Sequence, residues 1–324
     1  MKWKRLSVSA TFLGALIGAG FASGREISLY FGKTSLITPL LAGAFLGIFC
    51  YLFLLIGSIT GGNPLSLWGK GSFFSNAVVK ISNAVTLCSM IAASELTVNN
   101  LLGINGGGIL TGILALITVA FGVEKIKLSN FLIVPVIIAL ISVLLFKRGE
   151  IPDGGKIVFL PAFSYCTMNI IGGGYLVSTM SADFDKKDCA VTAAISGILS
   201  AILILAVYFI IQRNLNEDMP LMSAAACCGM KTIGNVVMYL AVFTTMTSSL
   251  SIVSDNKLFL SIATVSGAFA VSVLGFRTIV DKCYPVLSVL GGVVSVAYLM
   301  LYFIKTRRDN SQPPVAKEKH FFTS

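Results

Sequence analysis

Residues 14 to 24 read Gly-Ala-Leu-Ile-Gly-Ala-Gly-Phe-Ala-Ser-Gly, inside the first long apolar run of the chain. Glycine costs about 1 kcal/mol relative to alanine in a helix interior. Gly14, Gly18, Gly20 and Gly24 in so short a span predict a helix that breaks while it crosses a bilayer. Each backbone polar group left unsatisfied in hydrocarbon costs several kcal/mol. The freed groups must therefore face protein, a water-filled site or a bound solute. Secondary transporters hold substrates and ions near the midplane with broken helices of this kind.

Composition places the whole chain in a membrane. Of its 324 residues 56% are hydrophobic and 12% charged, and the mean hydropathy is +0.89. A soluble domain needs more polar surface than this. A spanning helix needs roughly 20 mostly apolar residues. Such runs occur at about 6–31, 36–60, 77–102, 108–123, 128–146, 157–181, 189–211, 232–254, 258–276 and 282–304. The expected fold class is all-α, with about ten transmembrane helices in one domain, 1–305. Residues 306–324 are basic with Ser-Gln-Pro-Pro and read as a disordered tail. Lysine and arginine near the N-terminus, at Lys125, Lys127, Lys186 and Lys187, and in the tail put both termini in the cytoplasm. The net charge of +10 follows largely from that bias. Nucleic acid is a poor partner, because no basic helix or aromatic-basic surface motif is present. The partners expected are a lipid bilayer and a small-molecule substrate.

The spans form two sets of five, about 6–146 and 157–304, separated by the turn-rich stretch 147–156. A shift of about 150 residues lays the first break on Ser164–Gly174, Ser-Tyr-Cys-Thr-Met-Asn-Ile-Ile-Gly-Gly-Gly. Helix six is therefore expected to break as helix one does. An odd number of spans per half turns the second half over, which gives a 5+5 inverted repeat. The long loop after the seventh run carries the alanine-rich Leu221–Gly229, read either as a short lid helix or as an ordinary packed loop.

Several side chains could carry chemistry. Thr244, Thr247, Ser248 and Ser251 share one helical face. Such hard oxygens suit Na⁺, or they bond back to their own helix. Glu95 is the acidic residue well inside the third run, and a charge at that depth should face the bundle interior or a cavity. It reads as a counter-charge for an amine, a proton carrier, or a residue near the outer mouth. Arg25 and Glu26 follow the first break, and Arg25 could form a gate with Asp281 or belong to an interfacial charge cluster. Thr167 and Asn169 lie in the second segment and could bind a polar ligand or satisfy the backbone. The seven cysteines show no metal or redox spacing, and the single histidine, His320, is in the tail. No catalytic pair or metal triad is evident, so an enzyme is not expected.

These residues resemble the amino acid–polyamine–cation superfamily with the leucine-transporter-like fold. The opening Gly14-Ala-Leu-Ile-Gly-Ala-Gly-Phe-Ala-Ser-Gly-Arg-Glu26 is most similar to YkvI-like bacterial membrane proteins, a group of amino-acid permeases. The resemblance implies Na⁺ as coupling ion, with no other cofactor, in the inner membrane of a bacterium. Sodium symporters of the superfamily carry Thr-Ser-Ser in helix eight, matched by Thr247-Ser248-Ser249. The carry-over gives Na⁺ to the carbonyls of Gly14, Ile17 and Thr244 and the hydroxyls of Thr247 and Ser248. It gives the substrate to Gly18, Ala19, Gly20, Phe21, Ala22, Thr167 and Asn169, with Glu95 beside them. Ser129 to Phe146 contains no lysine or arginine that could replace Na⁺, as a lysine does in some proton-coupled relatives. The implied function is Na⁺-coupled transport of an amino acid or small amine. A ligand sensor that moves no solute is the alternative.

Overall fold

A computed structural model describes residues 2–149 and 154–311. Among them the regular structure is all helical. The first run gives three pieces, α1 (Lys2–Leu16), α2 (Ala19–Ala22) and α3 (Arg25–Phe31). Then come α4 (Ile37–Ile59), α5 (Ser72–Leu102), α6 (Gly107–Ala120), α7 (Val123–Arg148) and α8 (Phe159–Met180). The remainder forms α9 (Lys186–Ile210), α10 (Pro220–Cys227), α11 (Lys231–Ser254), α12 (Leu258–Ser272) and α13 (Phe276–Ser311). Among the described residues, five segments are long and apolar enough to cross a bilayer: Ile37–Ile59, Pro64–Leu102, Lys186–Ile210, Lys231–Ser254 and Phe276–Arg307. Of the two readings of the loop after the seventh run, the short helix is the one present, as α10. Helix α13 runs on to Ser311, so residues 306–311 of the expected tail are helical. The rest of that tail, 312–324, lies outside the described residues.

Helix one breaks where its glycines fall. The amide of Gly18 turns back to the carbonyl of Leu16 at 2.9 Å instead of reaching Gly14, which ends α1. A second interruption comes at Gly24, whose φ of 78° is left-handed and suits a residue without Cβ. The short piece between them is closed by Ala22 N–H donating to Gly18 at 2.8 Å.

Helix six is different. No break occurs at Ser164–Gly174; α8 is continuous from Phe159 to Met180. Its glycines serve close packing instead. A Cβ on Gly173 would stand 3.3 Å from the Phe12 ring, and one on Gly174 would stand 2.9 Å from the Phe53 ring. The expectation failed because glycine weakens a helix only modestly. In hydrocarbon the backbone keeps its own hydrogen bonds, and small residues let neighbouring helices approach.

Helix α1 is packed against α7, α8, α9 and α11, with Phe12, Leu13 and Ile17 fully buried. Polar pins hold its N-terminal end. Arg5 pairs with Asp188 in the first turn of α9, and Lys4 donates to Asp183 at 2.7 Å. That hydrogen bond holds the Asp183 carboxyl below the usual carboxylate range. Helices α4 and α9 are closely packed. A Cβ on Gly43 would lie 2.4 Å from the Ala201 methyl, and one on Gly197 would lie 2.8 Å from Gly47 Cα. Four-residue spacing of small side chains on both helices produces this approach.

Candidate solute and ion site

The break in helix one opens on a narrow, polar cavity. Gly18 and Glu26 form one wall. Ser82, Asn83, Thr86 and Met90 of α5 form another, and Met168, Asn169, Gly172 and Gly173 of α8 a third. Thr245, Ser248, Ser249 and Ile252 of α11 close it, with Tyr284 and Leu287 of α13. The wall is rich in hydroxyl and amide groups and holds no Lys, Arg or His. Such a lining offers hydrogen bonds to a polar guest.

At its edge Thr245 meets the loose main chain. Its hydroxyl lies 3.0 Å from the carbonyl of Gly14 and 3.2 Å from that of Ile17. The turn at Gly18 removes the usual donor to Gly14, and Thr245 supplies a replacement from another helix. The lining residues Thr245, Ser248, Ser249 and Ile252 have the spacing i, i+3, i+4, i+7. This is the expected stripe turned by one residue, about 100° around the helix. Thr247 instead donates to Phe243 and Thr244 of its own helix at 3.0 and 2.9 Å. Thr244 donates to Ala241, and Ser248 donates to the carbonyl of Thr244 at 2.9 Å. The hydroxyl that reaches the Gly14 and Ile17 carbonyls is that of Thr245, while Thr247 bonds its own helix.

Of the expected solute residues, Gly18 and Asn169 line the cavity. A Cβ on Gly18 would stand 3.2 Å from both Met90 and Thr245. Ala19 lies in α2. Gly20, Phe21 and Ala22 are buried but do not form the wall. Thr167 points at α13, donating to the carbonyl of Ser288 at 2.8 Å. Glu95 is elsewhere: it accepts from Gly106 N–H and Gly108 N–H, both at 2.8 Å, and so caps the start of α6. It faces a separate pocket with Phe269 and Phe276. A charge deep in a run need not face the centre when a helix end lies in reach.

Glu26 takes the central place instead. Glu26 follows Arg25 in sequence, but the two side chains diverge. Arg25 donates to Asp281 through two bonds of 2.8 and 2.6 Å and to the carbonyl of Glu217 at 3.3 Å. Glu26 is buried and turned into the cavity. Consecutive helical residues point about 100° apart, which is the signal that could have separated them. Asp281 also meets Arg277, which pairs with Asp218, so a charged network joins α3, α13 and the loop before α10. The first turn of α10 seals the second break, where Leu221 N–H donates to the Ser23 carbonyl at 2.8 Å.

No family model matches the chain, and no curated protein does. Solved structures do match. One is Mhp1, a nucleobase-cation-symport-1 family transporter, in a closed conformation with bromovinylhydantoin bound. The TM-score is 0.62 over 94% of this chain and 79% of that one, at 14% identity. The chain therefore shares the fold of that structure.

Proposed function

We infer that this chain is a secondary transporter of an amino acid or related small amine, driven by Na⁺ through alternating access. One observation carries the reading: the broken backbone of helix one, the Thr245 hydroxyl and the polar cavity meet at one place. The oxygens of Gly14, Ile17 and Thr245 are hard donors with no basic side chain among the cavity residues, which fits Na⁺. Na⁺ held there would supply a charge tying α1 to α11. In this reading the ten helical runs form a 5+5 inverted repeat in a bacterial inner membrane, with both termini cytoplasmic. Gly18 and Gly24 are the hinges at which α2 and α3 shift against α1, and the Arg25–Asp281 pair closes one entrance.

The test is uptake into proteoliposomes. Labelled amino acids and amines should accumulate several-fold more under an inward Na⁺ gradient than with Na⁺ equal on both sides. Ligand-induced thermal stabilisation without any flux would replace transport by sensing.

A further inference from the structure

Glu26 sets the charge of the cavity. Its side chain is 3% exposed, and its Oε2 has no hydrogen-bond partner among the described residues. Asp188 is equally enclosed, at 1% exposed. Asp188 is neutralised by Arg5 and caps α9. Glu26 has no such cation, since its neighbour Arg25 is committed to Asp281. A buried carboxylate is tolerated when paired, and an unpaired one inside a membrane domain marks a binding function.

The local structure makes room for it. A Cβ on Gly20 would sit 2.0 Å from Glu26 Oε1, so the glycine lets the carboxyl fold back over the break. The other polar groups on the wall, Asn83, Asn169, Tyr284 and the Ser and Thr hydroxyls of α5 and α11, are neutral. Nearby Tyr30 is bonded to Ser288 at 2.6 Å, and Tyr284 to Ser89 at 2.8 Å. The site therefore offers one acidic side chain and no basic one.

We propose that Glu26 is the recognition group for an ammonium, and that the cavity selects amines of net positive charge over zwitterionic amino acids of the same skeleton. An amine brings the one charge that Glu26 lacks. A zwitterion brings a second carboxylate next to it, with no basic side chain to receive it. The proposal rests on the cavity being the solute site, and it narrows the solute class given above.

The test is binding to the purified full chain in detergent at pH 7, read by thermal shift and calorimetry. The probes are three matched sets: ethylamine, L-alanine and ethanol; isoamylamine, L-leucine and isoamyl alcohol; phenethylamine, L-phenylalanine and phenethyl alcohol. At least one amine should bind about tenfold or more tightly than its amino acid and its alcohol. Glu26→Gln should remove that advantage, and Glu26→Asp should keep part of it. The wild-type comparison stands even if a variant fails to fold. Equal binding across each set, tighter binding of the amino acids, or no amine binding at all overturns the proposal. So does a folded Glu26→Gln protein with unchanged amine affinity; if that variant also loses proton-driven uptake, Glu26 is a proton carrier instead. Amine binding through Glu26 without flux would leave this assignment standing and remove only the transport reading.

Discussion

Thr245 shows how much one side chain can depend on its register. Two hydroxyl stripes run along α11, one through Thr244, Thr247 and Ser251 and one through Thr245 and Ser249, with Ser248 shared. Periodicity finds both and ranks neither, because each satisfies the same spacing. The direction of the neighbouring helix makes the choice, and it places Thr245 on the freed carbonyls of Gly14 and Ile17. Thr245→Val keeps the shape and removes the hydroxyl. It should cost about 1–3 kcal/mol of stability by leaving those carbonyls unpaired. It should also abolish any stabilisation of the melting curve by Na⁺. A Na⁺ response that survives Thr245→Val but disappears in Thr247→Val would return the ion to the other stripe.

At the level of elements, the same residue type has opposite consequences. Glycines break helix one and pack α8. Composition cannot separate these outcomes, since Gly172-Gly173-Gly174 is denser in glycine than the segment that breaks. The difference lies in what stands opposite. Phe12 and Phe53 press on α8 and need its backbone close, whereas Thr245 offers helix one a replacement hydrogen bond. Close packing is also the basis of the α4–α9 pair. Gly43→Ala should lower the melting temperature in detergent, with an overpacking cost of about 1–3 kcal/mol. Adding Ala201→Gly should recover part of the loss, because the nearest atom, the Ala201 methyl, is then gone. If the double variant is no more stable than Gly43→Ala alone, this contact does not limit the helix approach.

Across the whole molecule, charge is sorted by depth. Arg25, Asp281, Arg277 and Asp218 form a partly exposed network that links α3, α13 and the loop before α10. Glu26, the next residue along, is enclosed. If the network closes an entrance, Asp281→Asn should favour the open form. A cysteine placed at Ser82 on the cavity wall, with native cysteines replaced, should then react about fivefold faster with a soluble alkylating reagent. That factor corresponds to roughly 1 kcal/mol, the scale of a partly solvated ion pair. An unchanged rate would make the network a structural clasp.

Read without coordinates, the chain already discloses a helical membrane protein, its ten apolar runs, the break in its first helix and the pairing partners Arg25 and Asp281. These follow from local quantities: run length, the absence of Cβ, and the cost of charge in hydrocarbon. Three matters needed the packed molecule: that α8 stays whole, that Thr245 rather than Thr247 meets helix one, and that Glu26 rather than Glu95 enters the cavity. Each turns on which face of a helix meets which neighbour, and that is set by contacts between residues far apart in sequence, which local pattern does not contain.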